Sequence, residues 1–434
     1  LWTERIDGID APGAALALAS GAGLAWLDSQ SDAPDGRYSF LANEPVERHV
    51  VRFGAKAPFS AFPSSGLDRT RNALGPDPSG VPRWIGYIAY DAAWSNPTRG
   101  TARFERGERP VVLFHRYDAV LAIDHQEGHA WLLGDDADAC ARLRRRLSAR
   151  GMTEPLGFRV DRLEADDPAA HRQAIERALA YIADGDVYEV NLARRWTARF
   201  EGSALALWFR MREASQVPLG MFLDAGDHSV LACTMERFLR WEAQTGRLVT
   251  RPIKGTVRRL AGDEGAEARL LADPKERAEH SMIVDLMRND LGRVARVGTV
   301  RVEAPLRVEP FTGLYHLVST VACETRAGVS ATDVLEASFP PGSITGAPKL
   351  RAMEIIESLE RHPRGVYCGA VGFIDRAGGL SLAVSIRTAT VRAPEVEYWA
   401  GGGIVEASDP DRELAETELK AHVFLDAIGG PSTP

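Results

Sequence analysis

Cysteine is scarce in this chain and basic charge is in deficit. Cys140, Cys233, Cys323 and Cys368 are the only four in 434 residues and form no CxxC pair. They are too few and too scattered to staple a protein of this size, which suits a reducing compartment and buried structural thiols. The 52 Lys and Arg fall short of the 60 Asp and Glu, for a net charge of −8. A field of that sign disfavours nucleic acid and anionic membranes, so an anionic ligand must be held by a local cluster. Long apolar runs are missing as well. The most hydrophobic stretch, Ala11 to Leu27, is broken by glycines, follows Glu4, Asp7 and Asp10 rather than basic residues, and falls short of a membrane span. It reads as a short helix followed by a strand ending near Asp28. No internal repeat or low-complexity tract is present, and neither glycine-rich nucleotide signature is completed. In "GSITGAPK" the glycines are one residue too close and Pro348 precedes the lysine, while "GGGIV" lacks the rest of GxGxxG.

What is present is an ordinary globular composition, 45% hydrophobic and 26% charged, with length enough for two or three domains. Residues 30 to 110 are rich in Pro, Gly, Ser and Arg, interrupted by strand-like runs such as "RWIGYIAYD" (83 to 91) and, just beyond, "VVLFHRYDAVLAID" (111 to 124). A basic helical segment (136 to 150) precedes "GMTEPLGF", the best linker candidate. The division expected is therefore an N-terminal region, 1–150, and a second region, 168–425. The second opens with helical periodicity in "PAAHRQAIERALAYIADGD" and a strand in "VYEVNLARRWTARF".

Four segments of the second region carry chemistry. In "ADPKERAEHSMIVDLMRNDLGRV" (272 to 294), Asp273 and Pro274 start a helix on which Glu276 and Glu279, three apart, project from one side. Taken singly, Glu276 fits a capping acid and Glu279 a solvated one. A second helix, in "AGGGIVEASDPDRELAETELKAH" (400 to 422), follows a strand and a glycine-rich turn and repeats the spacing with Glu413 and Glu416, Lys420 continuing the face. Two such pairs could form an oxygen-only site for a hard cation such as Mg²⁺. In "FPPGSITGAPKLRAMEIIESLE" (339 to 360), loop amides, the Ser343 and Thr345 hydroxyls and a helix N-terminus suggest an anion cradle. In the strand pair "YCGAVGFID" and "LSLAVSIRTATV", Arg387 stands in an apolar strand and needs an acidic partner or an anionic ligand. Finally, "RPIKGT" places Lys254 after a Pro-Ile pair that reads as a strand end, with no acid beside it in sequence.

With "RPIKGT", "ERAEHSMIVDLMRNDLGRV", "PPGSITGAPKLRAMEII", "YCGAVGF", "SIRT", "AGGGIV" and "LAETELK" in this order, the sequence resembles the chorismate-utilising enzymes, closely over 168 to 425 and loosely before that. The resemblance implies an α/β (α+β) fold, a large two-sheet, mainly antiparallel β-sandwich with helices packed outside. Within the family the chain most resembles the branch that forms 4-amino-4-deoxychorismate, because the branch that forms anthranilate generally has alanine where Lys254 stands. By that resemblance Lys254 is a covalent nucleophile. It adds at carbon 2 of chorismate as the carbon 4 hydroxyl leaves, and ammonia then adds at carbon 4 and expels it. Direct attack of ammonia at carbon 2 opens the alternative route to 2-amino-2-deoxyisochorismate or anthranilate.

An ordinary lysine is neutral in only about one copy in two thousand at pH 7, so the site is expected to desolvate Lys254 or place cations near it. Glu236 in "TMERFL" matches the family's acid, although Met235 stands where the family has proline. Glu279 and Glu416 match direct Mg²⁺ ligands, with Glu276 and Glu413 holding its waters. Tyr367, Arg387, Lys420 and the amides of Gly401, Gly402 and Gly403 would hold substrate carboxylates. Thr256, His316 and Gly346 lie in family segments that line the substrate, and His280, beside Glu279, matches a histidine common in the anthranilate branch. Glu189 in "VYEVNLARR" stands where isochorismate-forming relatives carry lysine and many ammonia users glutamine, which argues against hydroxylation at carbon 2. No cysteine lies in a G-x-C-x-G elbow, so ammonia is expected from a separate glutaminase subunit. The resemblance further implies a cytoplasmic enzyme feeding p-aminobenzoate and folate, with no nucleic-acid or membrane partner. The segment "LAWLDSQ" (24 to 30) resembles one that holds tryptophan in relatives, against the simpler reading of a strand end.

Overall fold

The computed structural model describes residues 1–30, 36–55, 57–59, 80–95, 102–148, 156–259, 262–311 and 314–429. Among these, two large sheets account for all the strands, one of twelve strands and one of ten. The pairings within both are antiparallel throughout, as in Leu219–Asp224 with Ser229–Thr234 and Ala370–Asp375 with Leu380–Val384. Both regions of the chain enter both sheets. Ala25–Asp28 pairs with Leu219–Asp224 in the first, and Pro82–Ile88 pairs with Ala370–Asp375 in the second.

Strand alternation separates two cores. Ala25, Met221, Leu223, Val230 and Ala232 of the first sheet share a cluster with Ile85, Tyr87, Phe114, Leu239 and Val371 of the second, so this cluster fills the space between the sheets. Their neighbours Trp26, Phe222, Leu231 and Cys233 point the other way, into a cluster closed by helices Ala11–Leu18, Ala204–Ala214 and Pro410–Ala427. The fold is thus the expected two-sheet sandwich with helices outside. No described helix is long and apolar enough to cross a membrane.

Two adjacent strand pairs change sheets side by side. Ser229–Thr234 lies in the first sheet and Arg237–Trp241 in the second, and the segment expected as one strand over 380–391 is likewise split into Leu380–Val384 and Thr388–Arg392. The crossing points are stitched by Val384 N–H to the Glu236 carbonyl at 2.9 Å and Cys233 N–H to the Arg387 carbonyl at 3.0 Å. Glu236 and Arg387 therefore sit at the crossings, and Arg387 is at a left-handed turn with φ +52° rather than within a strand. Periodicity could not show this break, because both halves keep alternating residues while their partners change.

Candidate active site

Lys254 lies inside a strand, Ile253–Arg258, not after one. Pro252 has no N–H and interrupts the ladder, yet Arg247–Arg251 and Ile253–Arg258 pair with the same strand, Leu314–Glu324. The register shifts between Lys254 and Thr256, where Gly255 takes φ +72°. Such a bulge re-aims the side chains on either side of it. Here it presses the strand against the helix Pro274–Gly292, since a Cβ on Gly255 would come within 3.0 Å of Glu276 Oε2.

The Lys254 ammonium donates to Glu189 Oε1 at 2.5 Å, and the Glu189 side chain is wholly buried. Burial alone would push the amine's pKa down. The Glu189 carboxylate, with Glu279 and Glu236 beyond it, outweighs burial and holds the pKa above the ordinary lysine value. The expected depression is therefore corrected: the amine is desolvated, but its neighbours are anions rather than cations. Glu189 and Lys254 are 65 residues apart, so no sequence window joins them.

Glu236 is buried, and burial pushes its carboxyl up to about 7 against the opposing effects of the Ser343 hydroxyl, the Lys254 charge and the Ile253 amide. Ser343 is thus committed to Glu236, and the Thr345 hydroxyl donates to the carbonyls of Pro341 and Gly342, each at 3.1 Å. Lys349 is pinned between Asp290 at 2.6 Å and the Ser338 carbonyl at 2.7 Å. The anion cradle anticipated around Ser343 and Thr345 is not built, because its hydroxyls are consumed locally. Gly346, at φ +135°, lets its strand approach Glu189 so closely that a Cβ would meet the Glu189 carbonyl.

The paired glutamates stand on two capped helices. Asp273 accepts from the amides of Lys275 and Glu276, and Asp409 from those of Asp411 and Arg412, so both helices begin where their Asp-Pro pairs indicate. Burial, with Glu189 and Glu276 adding to it, pushes Glu279 up to about 7, and burial likewise raises Glu276 and Glu413. Glu416 is held low, first by Lys420 at 2.5 Å. Glu276 feels Glu416 across the gap between the helices, which places the two pairs in one electrostatic neighbourhood. No three His, Cys, Asp or Glu among the described residues are drawn into a single metal-holding cluster. The donor chemistry still fits a hard divalent cation. The carboxylates are oxygen-only and under-compensated, and Gly402 leaves open a space where a Cβ would lie 3.2 Å from Glu413 and 3.8 Å from Glu416.

Gly401, Gly402 and Gly403 belong to the strand Glu395–Ile404 rather than to the turn after it. The Gly401 carbonyl accepts from Lys420 Nζ at 2.9 Å. Arg387 donates to the Lys420 carbonyl at 2.8 Å and is half-buried. Tyr367 stacks on Trp399 at 5.8 Å, and the Cys368 amide ties it to Ser385, two residues from Arg387. His316 lies opposite Thr256 in the ladder, with Nδ1 3.0 Å from the Thr256 hydroxyl and 3.1 Å from the Gly255 carbonyl. His280 Nε2 meets the Ser319 hydroxyl at 2.6 Å. Burial pushes both imidazoles down to about 4, so both are neutral. Asp28, from the segment compared with a tryptophan holder, pairs with Arg212 at 2.7 Å and lines a cavity of about 60 Å³ with Ser29, Tyr38 and Arg237.

The sequence shows Glu189 but not its pairing with Lys254, and Ser343, expected in an anion cradle, is instead the partner of Glu236. The signal for the first was a lone buried-strand acid in "VYEVNL"; the second had none.

The chain is 40% identical over 336 residues to aminodeoxychorismate synthase component 1 of Klebsiella aerogenes, covering 76% of this chain and 72% of that one. It is 44% identical over 257 residues to anthranilate synthase component 1 of Aquifex aeolicus, covering 58% and 52%. The crystal structure of anthranilate synthase component I from Streptococcus pneumoniae TIGR4 superposes with a TM-score of 0.74 at 27% identity, covering 91% of this chain and 93% of that one. A model of the chorismate binding enzymes matches residues 26–426, and this chain belongs to that family.

Proposed function

We propose that this enzyme converts chorismate and ammonia to 4-amino-4-deoxychorismate, as an aminodeoxychorismate synthase component I, through a covalent intermediate on Lys254. The observation that carries the reading is the Lys254 amine itself, part-buried against the wholly buried Glu189 and within the electrostatic reach of Glu236 and Glu279. In the first step the Lys254 nitrogen bonds to carbon 2, both ring double bonds shift, and the carbon 4 hydroxyl leaves as water with the proton of Glu236. In the second, ammonia bonds to carbon 4, both double bonds shift back, and the amine departs from carbon 2. Glu236 then recovers a proton from the new ammonium. A carboxyl poised near 7 can serve in both directions.

Glu279 and Glu416, with Glu276 and Glu413 behind them, would hold Mg²⁺. Bound there, the ion would neutralise the ring carboxylate of the substrate. Arg387, whose guanidinium meets the Lys420 carbonyl and the Tyr398 hydroxyl, and Lys420 would orient the carboxylates, and Tyr367 would wall the pocket with Thr256, His316 and the glycine strand. Ammonia would come from a separate glutaminase subunit. All four cysteines are buried, and burial pushes Cys323 up to about 11 and Cys368 up to about 12, so neither offers a ready thiolate. The designation "component 1" of the relatives fits a two-subunit arrangement.

The second reading, anthranilate or 2-amino-2-deoxyisochorismate formation, draws on the 44% identity to the Aquifex enzyme. Chromatography after incubation with chorismate, Mg²⁺ and ammonium separates the two. Anthranilate is fluorescent, whereas the 4-amino product yields p-aminobenzoate only with an added lyase. With ammonia withheld, a chorismate-derived adduct is expected on the Lys254 peptide and absent in Lys254→Ala. Mapping is uncluttered, because the chain has just four other lysines, Lys56, Lys275, Lys349 and Lys420. Anthranilate as the main product, or full 4-amination by the alanine variant, would overturn the proposal.

A further inference from the structure

The Lys254 amine is paired with an anion, and a protonated amine has no lone pair with which to attack carbon 2. Something must remove a proton in the step that makes it a nucleophile. We infer that Glu189 is that base: its Oε1 takes the proton from the Lys254 ammonium, and returns it when the amine leaves carbon 2. This rests on the reading of Lys254 as the nucleophile and goes beyond it by naming the residue that switches it on.

Three observations carry the inference. Glu189 Oε1 is 2.5 Å from Lys254 Nζ, so the proton moves along an existing hydrogen bond. The Glu189 side chain has no solvent exposure and its Oε2 accepts no hydrogen bond among the described residues, so the carboxylate is met only at Oε1, by the Lys254 ammonium and, at 3.4 Å, by the Asn191 side-chain amide. The pair is also closed from below. A Cβ on Gly403 would lie 2.4 Å from Glu189 Oε1 and 2.9 Å from Lys254 Nζ, so the strand leaves no room for a water between them on that side. Burial disfavours both charges of a pair, so it narrows the gap to the neutral counterpart, amine plus carboxylic acid, relative to water. The transfer balances: one proton leaves nitrogen for Oε1, the nitrogen lone pair forms the bond to carbon 2, and departure of the neutral amine in the second step lets the proton return.

The other charged or titratable groups coupled to Lys254 are Glu236 at the sheet crossing, Glu276, Glu279 and His280 on the helix Pro274–Gly292, and Glu416 on the helix Pro410–Ala427. All are retained in a Glu189→Gln protein, so the ratio of wild-type to variant rates isolates Glu189. The test is rapid-quench mass spectrometry of the full chain with chorismate and no ammonia, from pH 6.5 to 9.5. The expected result is adduct formation at Lys254 slowed roughly 10²- to 10⁴-fold in Glu189→Gln at pH 7, with the ratio shrinking about tenfold per pH unit as hydroxide replaces the missing base. A ratio independent of pH would mean that Glu189 only positions the amine, and an undiminished rate that it does neither; each overturns the inference. If Glu189→Gln fails to fold, Glu189→Asp decides. A shorter carboxylate that still acts as base keeps the wild-type pH profile at a lower rate, and a rate that climbs with pH refutes it. No adduct in the wild type would instead sink the nucleophile reading itself, and this inference with it.

Discussion

Gly403 underlies Lys254: a methyl group on the glycine would sit 2.9 Å from the lysine Nζ and still closer to the carboxylate that holds it. Gly403→Ala is therefore expected to push the Glu189–Lys254 pair out of place rather than to unfold the strand, because the clashing atoms are side-chain ends. A displacement near 1 Å is enough to lower turnover about 10²-fold. Steady-state assays beside a thermal melt check this; a melt that collapses with activity would move the effect from the site to the fold.

Glu189 is wholly buried in its pair with Lys254, so removing the lysine leaves a buried charge without compensation. Lys254→Met should lower stability by about 3–5 kcal/mol, and adding Glu189→Leu should restore most of the loss. Urea denaturation of the two single variants and the double variant measures the coupling. Strictly additive losses would show that the two groups do not depend on each other.

Glu236 must carry a proton to release the carbon 4 hydroxyl, and its carboxyl is pushed up to about 7. Activity with saturating ammonia should fall on an alkaline limb near that value. The Ser343 hydroxyl favours the ionised form, so Ser343→Ala should move the limb upward by roughly half a unit to one unit. A downward move would contradict the hydrogen bond.

Glu279 is raised from the ordinary 4.5 to about 7, so its ionisation opposes folding. The native state is favoured below pH 4.5, and that advantage is lost as pH rises through about 7. Glu279→Gln, stripped of metal with a chelator, should be more stable than wild type at pH 8 by on the order of 3 kcal/mol, with no difference near pH 4. Mg²⁺ should then stabilise the wild type and leave the variant unmoved. Melting curves with chelator and with Mg²⁺ decide both points.

Arg387→Gln removes a cation held at a left-handed turn while leaving the Cys233 amide to bond the same carbonyl. The expected effect is a rise in KM for chorismate of roughly 10- to 100-fold, in keeping with loss of a charge-assisted hydrogen bond, with kcat less affected. An unchanged KM would remove Arg387 from the carboxylate site.

The helices that bear Glu276, Glu279, Glu413 and Glu416 were legible in the chain because everything that specifies them is local. An Asp cap, a Pro at the first turn and a spacing of three along a 3.6-residue period act within a few residues of one another. The same holds for Pro252 and Gly255, which announced an irregular backbone at Lys254 without saying what it was for. Only the tertiary structure decided that Glu236 and Arg387 stand where paired strands cross between sheets, that Gly401–Gly403 run inside a strand, and that Lys254 meets Glu189. Strand partners and register are settled by which distant segments bury each face, and an electrostatic environment is made of whatever those partners carry. A lysine expected to have its pKa lowered, by burial or by cations, was for that reason found with it raised among carboxylates.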